Sequence, residues 1–399
     1  MKIALVNTLY FPTVVGGAER TVQELAETLA GRGHDVTVIT LAEGARRDVF
    51  VHNGVNVIKV PLWNIYHPYV KKDVPTTKWR KILWHALDCF NVVMMFRLLN
   101  ELSALRPDIV STHCLAGFSL LAWQAVLWGE AKLIHVLHDY YLLCARSAHY
   151  DKRRGAPCKA ICAGCALARA PTIANARNVT AFMGVSHFIL NRHNQLLQLG
   201  ARPKDGVIYN SVPLPSRPPR RRMKARRFGY LGSLIPEKGV LELVKSIGRV
   251  GADSLSLDIF GAGDDLYIEK VKSLGISNVR FHGVVDKDDA LDQLDVLVIP
   301  SLWDEPFGRV VIEAMAAGVP VICASRGGMP EILADSGGGL IFDPLAEPSA
   351  LDQAILALVN LDEVEMGVMS DAARSRAGQF IKEVQALDYE RLFVRTVEV

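Results

Sequence analysis

The sequence has no apolar run long enough to cross a bilayer: the longest, residues 90–99 (FNVVMMFRLL), is broken by Arg97 and falls short of the ~18 residues a spanning helix needs. It also lacks an export signal, because MKIALVNTLYF passes at once into a strand-like run with no separate positive region and cleavage site. A cytoplasmic chain is therefore expected. Charge is scarce, with 22% Asp, Glu, Lys and Arg against 50% hydrophobic residues, which excludes a disordered or fibrous protein. The formal net charge of +3 excludes little by itself, and no nucleic acid partner is expected. The G-x-G-x-x-G spacing of a dinucleotide site is missing after the first strand-like run, which argues against a nicotinamide cofactor.

What is present is length and rhythm. A chain of 399 residues exceeds one ordinary core and suits two domains. Short apolar runs alternate with helical patterns: KIALVNTL, HDVTVITL, DIVST, KLIHVLH and TAFMGVS, then RFGYLG, LSLDIF, NVRFHG, DVLVIP, VPVIC and GLIFD. Such runs read as parallel strands buried on both faces, so the expected fold is α/β, with two doubly wound Rossmann-like domains. Residues 1–210 are read as the N-terminal domain and 228–385 as the C-terminal one. Between them, 211–227 is proline-containing and gathers six Arg and one Lys at 217–227 without an acid. That run reads as a solvated linker or a contact for anionic lipid. The last segment, 386–399, has helical character and is a candidate to cross back to the N-terminal domain. Ligands of such sheets bind at the carboxyl ends of strands, and the cleft between two domains is the default site.

At 305–321 the sequence reads EPFGRVVIEAMAAGVPV. A buried strand, DVLVIPS, runs into the loop LWDEPFG and then into a helix closed by Gly318. First-turn amides of Gly308, Arg309 and Val310 suit a diphosphate. Glu313, in the first turns of the helix, suits a ribose diol, and the loop acid Glu305 suits a second polyol. Complementing the helix dipole would explain Glu313 but not Glu305 in its Pro-Phe-Gly context. Earlier, Gly16 and Gly17 in FPTVVGGAER stand where a strand turns into a helix, a place for an anion or for a plain turn. His113 and His138–Asp139 end two strand-like runs. The D-K-D at 286–288 reads as a helix start rather than a metal site.

In combination, the Glu305/Glu313 stretch, FGYLGSLIPEKG (228–239), GGAER (16–20), LAGRGHDVTVIT, DIFGAGD and GGMPEIL resemble the retaining GT-B glycosyltransferases that share the E-x7-E motif, over both halves of the chain. The resemblance implies a nucleotide-diphosphate sugar as donor and a saccharide or lipid-linked acceptor, with no cofactor required for catalysis. It places Gly16 and Gly17 at the donor phosphate and acceptor region, Lys238 on the departing diphosphate, Glu313 on the ribose and Glu305 on the transferred sugar. His113 would face the reacting sugar and acceptor, with His138 and Asp139 on the acceptor side. Ser233 stands where the family commonly has Arg, so one cation of the usual pair is missing, and Arg309 is the nearest candidate to compensate. An epimerase, a phosphorylase or a non-catalytic nucleotide-sugar-binding protein on the same scaffold remain the alternatives.

Seven cysteines are present, four of them in one insert: Cys144, Cys158, Cys162 and Cys165. The C-x3-C-x2-C ending suits thiolates on a structural zinc, with an iron–sulfur cluster or packed free thiols as the alternatives. Cys89, Cys114 and Cys323 read as small core residues. Residues 69–90 mix Lys, Arg, Trp and apolar residues as interfacial helices do, making an anionic membrane surface a candidate partner; a core helix would look similar.

Overall fold

The computed structural model describes the chain except residues 15, 70–76, 171–174, 199–201, 214, 216, 252–254, 348 and 399 and the side chain of Lys78. It divides into two compact units, 1–149 with 159–211 and 382–399, and 150–158 with 212–381.

The N-terminal unit holds β1 (Lys2–Val6), β2 (Asp35–Ala42), β3 (Asp48–His52), β4 (Val55–Pro61), β5 (Ile109–Thr112) and β6 (Lys132–Leu137). After an excursion, β7 (Tyr150–Asp151) and β8 (Ala156–Pro157), which forms a hairpin of the other unit, come β9 (Ala181–Gly184) and β10 (Gly206–Val207). The sheet order is β10-β9-β6-β5-β1-β2-β4-β3, parallel except for β3. Both faces of β1 and β5 are buried, which is why their sequences are continuously apolar rather than alternating. The helix Gly17–Gly31 turns Val22, Leu25, Ala26 and Leu29 inward, the three-and-four spacing of one helical face. Against it packs the terminal helix Lys382–Val397. Arg32 grips Glu390 of that helix through two bonds of 2.6 and 2.8 Å, and His34 reaches the same carboxylate at 2.9 Å.

The C-terminal unit contains β11 (Arg227–Leu231), β12 (Ser256–Phe260), β13 (Val279–Gly283), β14 (Val296–Ile299), β15 (Val321–Ala324) and β16 (Gly339–Phe342) in the all-parallel order β13-β12-β11-β14-β15-β16. Chain order reverses between β11 and β14, and between β1 and β5 in the first sheet. Those two switch points are where loops diverge at the carboxyl edge and leave room for a ligand.

The basic run at 217–227 does not project as a solvated linker. Arg217 pairs with Asp289 at 2.7 Å, Arg221 with Asp371 at 2.9 Å, Lys224 with Glu363 at 3.0 Å and Arg227 with Asp295 at 3.0 Å. Arg222 is buried and donates to the carbonyls of Leu294 and Leu291, both at 2.8 Å. These partners lie on the C-terminal unit's own helices and loops, so most of this charge is consumed by the fold rather than offered to a lipid.

Candidate functional site

At the C-terminal switch point, two loops are stitched together by backbone. The Glu237 carbonyl, at the end of the loop after β11, accepts from the amides of Leu302 (2.9 Å) and Trp303 (3.2 Å) in the loop after β14. This brings Lys238 and Glu305, sixty-seven residues apart, into contact: Lys238 Nζ donates to Glu305 Oε1 at 2.5 Å and lies 4.7 Å above the Trp303 ring. Lys238 and Glu305 retain only 19% and 14% side-chain exposure, so the pair is held rather than floating at the surface. The loop after β15 clamps the acid from behind, its Gly328 amide donating to the Glu305 carbonyl at 2.8 Å. Gly327 (φ 62°) permits this approach, since a Cβ there would lie 1.9 Å from the Glu305 carbonyl oxygen.

Gly308 (φ 101°) adopts the left-handed backbone that turns the loop into the helix Arg309–Ala316. Its first turn, including Val310, presents the positive end of the helix dipole. Glu313 Oε1 accepts from Arg309 Nε at 3.1 Å and Lys287 Nζ at 3.3 Å. Arg309, the expected substitute for the cation missing at Ser233, is thus engaged with Glu313. At Ser233 itself the carbonyl accepts from the Tyr230 hydroxyl at 2.8 Å. Another cation stands nearby on the same unit: Arg326, next to Gly327, has Nη1 3.8 Å from Asp304 Oδ1 and a buried Nε with no hydrogen-bond partner among the described residues. Lys287, Trp303 and Arg326 went unread in the sequence because nothing local marks them. Asp286 caps the helix Lys287–Gln293, accepting from the amides of Asp288 (2.9 Å) and Asp289 (3.3 Å), as a helix start should.

On the N-terminal unit, His113 follows β5 at the switch point, its amide extending the ladder to the Val6 carbonyl at 2.9 Å. The Asn7 side chain fixes the next residue by accepting from the Cys114 amide at 3.0 Å. His113 Nδ1 and His138 Nε2 stand 2.9 Å apart, and Ser111 Oγ lies 3.2 Å from His113 Nε2. Burial depresses both imidazoles: His113 falls well below its ordinary value, helped by its His138 and His135 neighbours, and His138 falls to about 4. Both rings are therefore neutral at pH 7, one donating to the other. Asp139 accepts from the Tyr141 amide at 2.7 Å, and burial pushes its carboxyl up to about 6. Behind this loop Asp88, buried, accepts from the Tyr141 hydroxyl (2.6 Å) and the Gly117 amide (2.7 Å), tying the loops after β6 and β5 together. The Gly16 amide, expected to meet an anion, is bonded at 2.9 Å to the Glu19 carboxylate of its own helix; Gly16 and Gly17 are both exposed.

The four-thiolate zinc arrangement is not assembled. Cys165 stands between two thiols, its sulfur 3.8 Å from that of Cys144, far beyond a disulfide, and its side chain also bonded to the exposed Cys162, while Cys158 lies on the hairpin β7–β8. Among the described residues no group of three or more His, Cys, Asp or Glu side chains is placed to hold a metal ion.

Comparison with known proteins adds to this geometry. Residues 16–210 match the glycosyl transferase 4-like domain, and residues 225–360 match glycosyl transferases group 1. An uncharacterized 42.6 kDa protein in the cps region of Klebsiella pneumoniae is 34% identical over 83% of this chain and 87% of its own. Among solved structures, sucrose-phosphate synthase from Thermosynechococcus elongatus superposes with a TM-score of 0.78 at 20% identity, covering 98% of both chains. Anabaena HepE in complex with UDP and glucose superposes with a TM-score of 0.69 at 18% identity, over 99% of this chain and 100% of that one. The chain has the GT-B fold and belongs to the group 1, 4-like family of glycosyltransferases.

Proposed function

We propose that this enzyme is a retaining glycosyltransferase that moves a sugar from a nucleotide-diphosphate sugar to a saccharide or lipid-linked acceptor. The observation that carries the reading is the arrangement at the C-terminal switch point, where Lys238 pairs with Glu305 and, one helix on, Glu313 is held by Arg309 and Lys287. A ribose diol would replace the cations as donors to Glu313. Lys238 and the helix amides would meet the diphosphate, and Arg326 would supply the second positive charge that Ser233 cannot.

In the reaction, the bond from the anomeric carbon to the phosphate oxygen breaks and the bond to the acceptor oxygen forms on the same face. The acceptor hydroxyl gives its proton to the departing phosphate oxygen, and the nucleoside diphosphate leaves. Negative charge grows on that diphosphate as the sugar becomes oxocarbenium-like, so a fixed cation stabilises the transition state more than the ground state. Glu305 would approach the transferred sugar, while the neutral His113, oriented by His138, would face the reacting sugar and acceptor. None of these roles needs a resident metal.

The acceptor reading draws support from the relative of the cps region, which suggests cell-surface polysaccharide or glycolipid synthesis. It also draws on an open pocket of about 420 Å³ in the N-terminal unit, lined among others by Glu43, Asn64, Tyr66, His67 and Arg80, whose mixed polarity suits a saccharide. A cytoplasmic location goes with this reading. Incubation with UDP-, GDP- and ADP-sugars and a panel of membrane-extracted acceptors, with NMR of the new anomeric centre, tests it. Glycosylated product with the donor's configuration supports the proposal. An inverted product removes the retaining mechanism, and a new monosaccharide formed without acceptor would establish an epimerase.

A further inference from the structure

The pocket of about 420 Å³ opens at the carboxyl edge of the N-terminal sheet, where β2 ends at Ala42 and the chain leaves β4 after Pro61. The helix Lys78–Cys89 completes its wall with Arg80. The segment after β4 is fastened to that helix: Trp84 Nε1 donates to the Tyr66 carbonyl at 3.0 Å, and Asn64 Nδ2 donates to the Trp84 carbonyl at 3.3 Å. The Asn91 side chain donates to the Trp63 carbonyl at 2.8 Å. The wall is therefore built before any ligand arrives, so little ordering is lost on binding.

What this wall presents is donors that lack acceptors. His67 Nδ1 accepts from the Tyr69 amide at 3.3 Å, and burial holds the imidazole below its ordinary pKa. At pH 7 the ring is thus neutral with its proton on Nε2, and that nitrogen is buried with no hydrogen-bond partner among the described residues. Arg80, half-buried beside Tyr66, makes no hydrogen bond or ion pair among the described residues. A guanidinium partly withdrawn from water and left without an anion is destabilising, and a bound anion offsets that. Glu43, the one acid that lines the pocket among the described residues, is already engaged: it accepts from the Thr13 hydroxyl and stands 4.0 Å from Lys59 Nζ. A guanidinium fork with one further N–H beside it complements a carboxylate or a phosphate; a neutral hydroxyl would leave the charge unmatched.

We infer that this pocket is a subsite for an acidic acceptor saccharide, whose oxyanion, a uronate carboxylate or a phosphate ester, is held by Arg80 and the Nε2–H of His67. The inference deepens the proposed function and rests on it for one point, that the pocket receives the acceptor. It adds the class of acceptor: a sugar that carries negative charge.

Calorimetric titration of the full chain with methyl glucoside, methyl glucuronide, glucose 6-phosphate and inorganic phosphate tests the subsite without reading transfer. At least one acidic sugar should bind about tenfold or more tighter than the neutral glucoside, the expected gain from hydrogen bonds to a charged group. A tighter glucuronide assigns a carboxylate, and a tighter sugar phosphate assigns a phosphate ester. Arg80→Gln should abolish that advantage and leave the glucoside unchanged, while Arg80→Lys, which keeps the charge and loses the fork, should restore it in part. His67→Phe should weaken the acidic sugar about fivefold, and His67→Gln, which keeps an N–H, should recover some of that loss. Because Arg80 has no bond to the rest of the fold, its variants should melt at the wild-type temperature. Equal binding of neutral and acidic sugars, an advantage that survives Arg80→Gln, or no binding of any probe overturns the inference. So does inorganic phosphate bound as tightly as the sugar phosphate with no glucuronide bound, the result of an adventitious ion only. Arg80-dependent binding of an acidic sugar with no transfer to any acceptor would instead count against the proposed function alone.

Discussion

Replacing Lys238 by Met separates the two explanations of its contact with Glu305: a structural strut or a cation waiting for a diphosphate. Fully exposed pairs contribute about 0.2–1 kcal/mol, whereas removing one partner of a buried pair costs about 3–5. At 19% and 14% side-chain exposure the Lys238–Glu305 pair lies between these limits. A loss of about 2 kcal/mol is therefore expected, lowering the melting temperature of a domain of this size by roughly 4–8 °C. Most of that loss comes from leaving Glu305 unpaired, so the double variant Lys238→Met/Glu305→Gln should recover most of the stability. Turnover should behave differently. Removing a donor aimed at developing charge costs about 10²–10³ in kcat, and neutralising Glu305 does nothing to restore it. The assay is release of nucleoside diphosphate at saturating donor, alongside thermal denaturation. Recovery of turnover together with stability in the double variant would refute the catalytic role and leave a strut.

Gly327→Ala should cost at least tenfold in turnover while the fold survives, because its Cβ would fall 1.9 Å from the Glu305 carbonyl and displace that acid; wild-type kinetics would contradict the clamp. His113→Ala should lower kcat with little change in donor affinity, as steady-state kinetics and calorimetry together would show. Stability should fall on acidification. His138, His149 and His193 are depressed to about 4 when folded but take up protons near 6.5 when unfolded, so their contribution is fully present above 6.5 and lost as pH falls toward 4. Asp139 has the opposite sign, since its carboxyl titrates near 6 when folded against 3.8, disfavouring the folded state above pH 6. Asp139→Asn should therefore stabilise at pH 7.5 by up to about 3 kcal/mol and lose that gain below pH 4, measured by denaturant unfolding across pH.

Where local pattern and tertiary role coincide, the fold was legible. Strands β11, β12, β14 and β15 of the C-terminal sheet stand out as apolar runs because their residues are mostly buried between helices, while the edge strands β13 and β16 show apolar runs although little of them is buried. Strand β3 escaped for the converse reason: it is an edge strand with Val49 and Val51 exposed, so its apolar residues do not report burial. Strands β7, β8 and β10 have two residues each, too few for any period. In the site, Glu305 and Glu313 were readable from spacing on a loop and a helix. The resemblance named Lys238 and Arg309 but not their pairing with these acids, and Lys287 and Arg326 went unread, since they arrive from other strand ends and only the sheet order brings them in. The basic run at 217–227 misled for the same reason, its acids coming from helices and loops distant in sequence. Cysteine spacing proposed a zinc site, but among the described residues no group of three or more His, Cys, Asp or Glu side chains is placed to hold a metal ion.

The most direct measurement is calorimetric titration of the full chain with UDP, GDP and ADP, followed by the 2′,3′-dideoxy form of whichever binds. One diphosphate should bind saturably. Glu313→Gln should weaken it about ten- to hundredfold, the equivalent of about 1.5–3 kcal/mol for hydrogen bonds to a charged acceptor. The dideoxy nucleotide should bind the wild type as weakly as the variant, and lose nothing further in the variant. Absence of binding by any diphosphate, or equal affinities across wild type, variant and dideoxy nucleotide, would contradict a donor site built on Glu313.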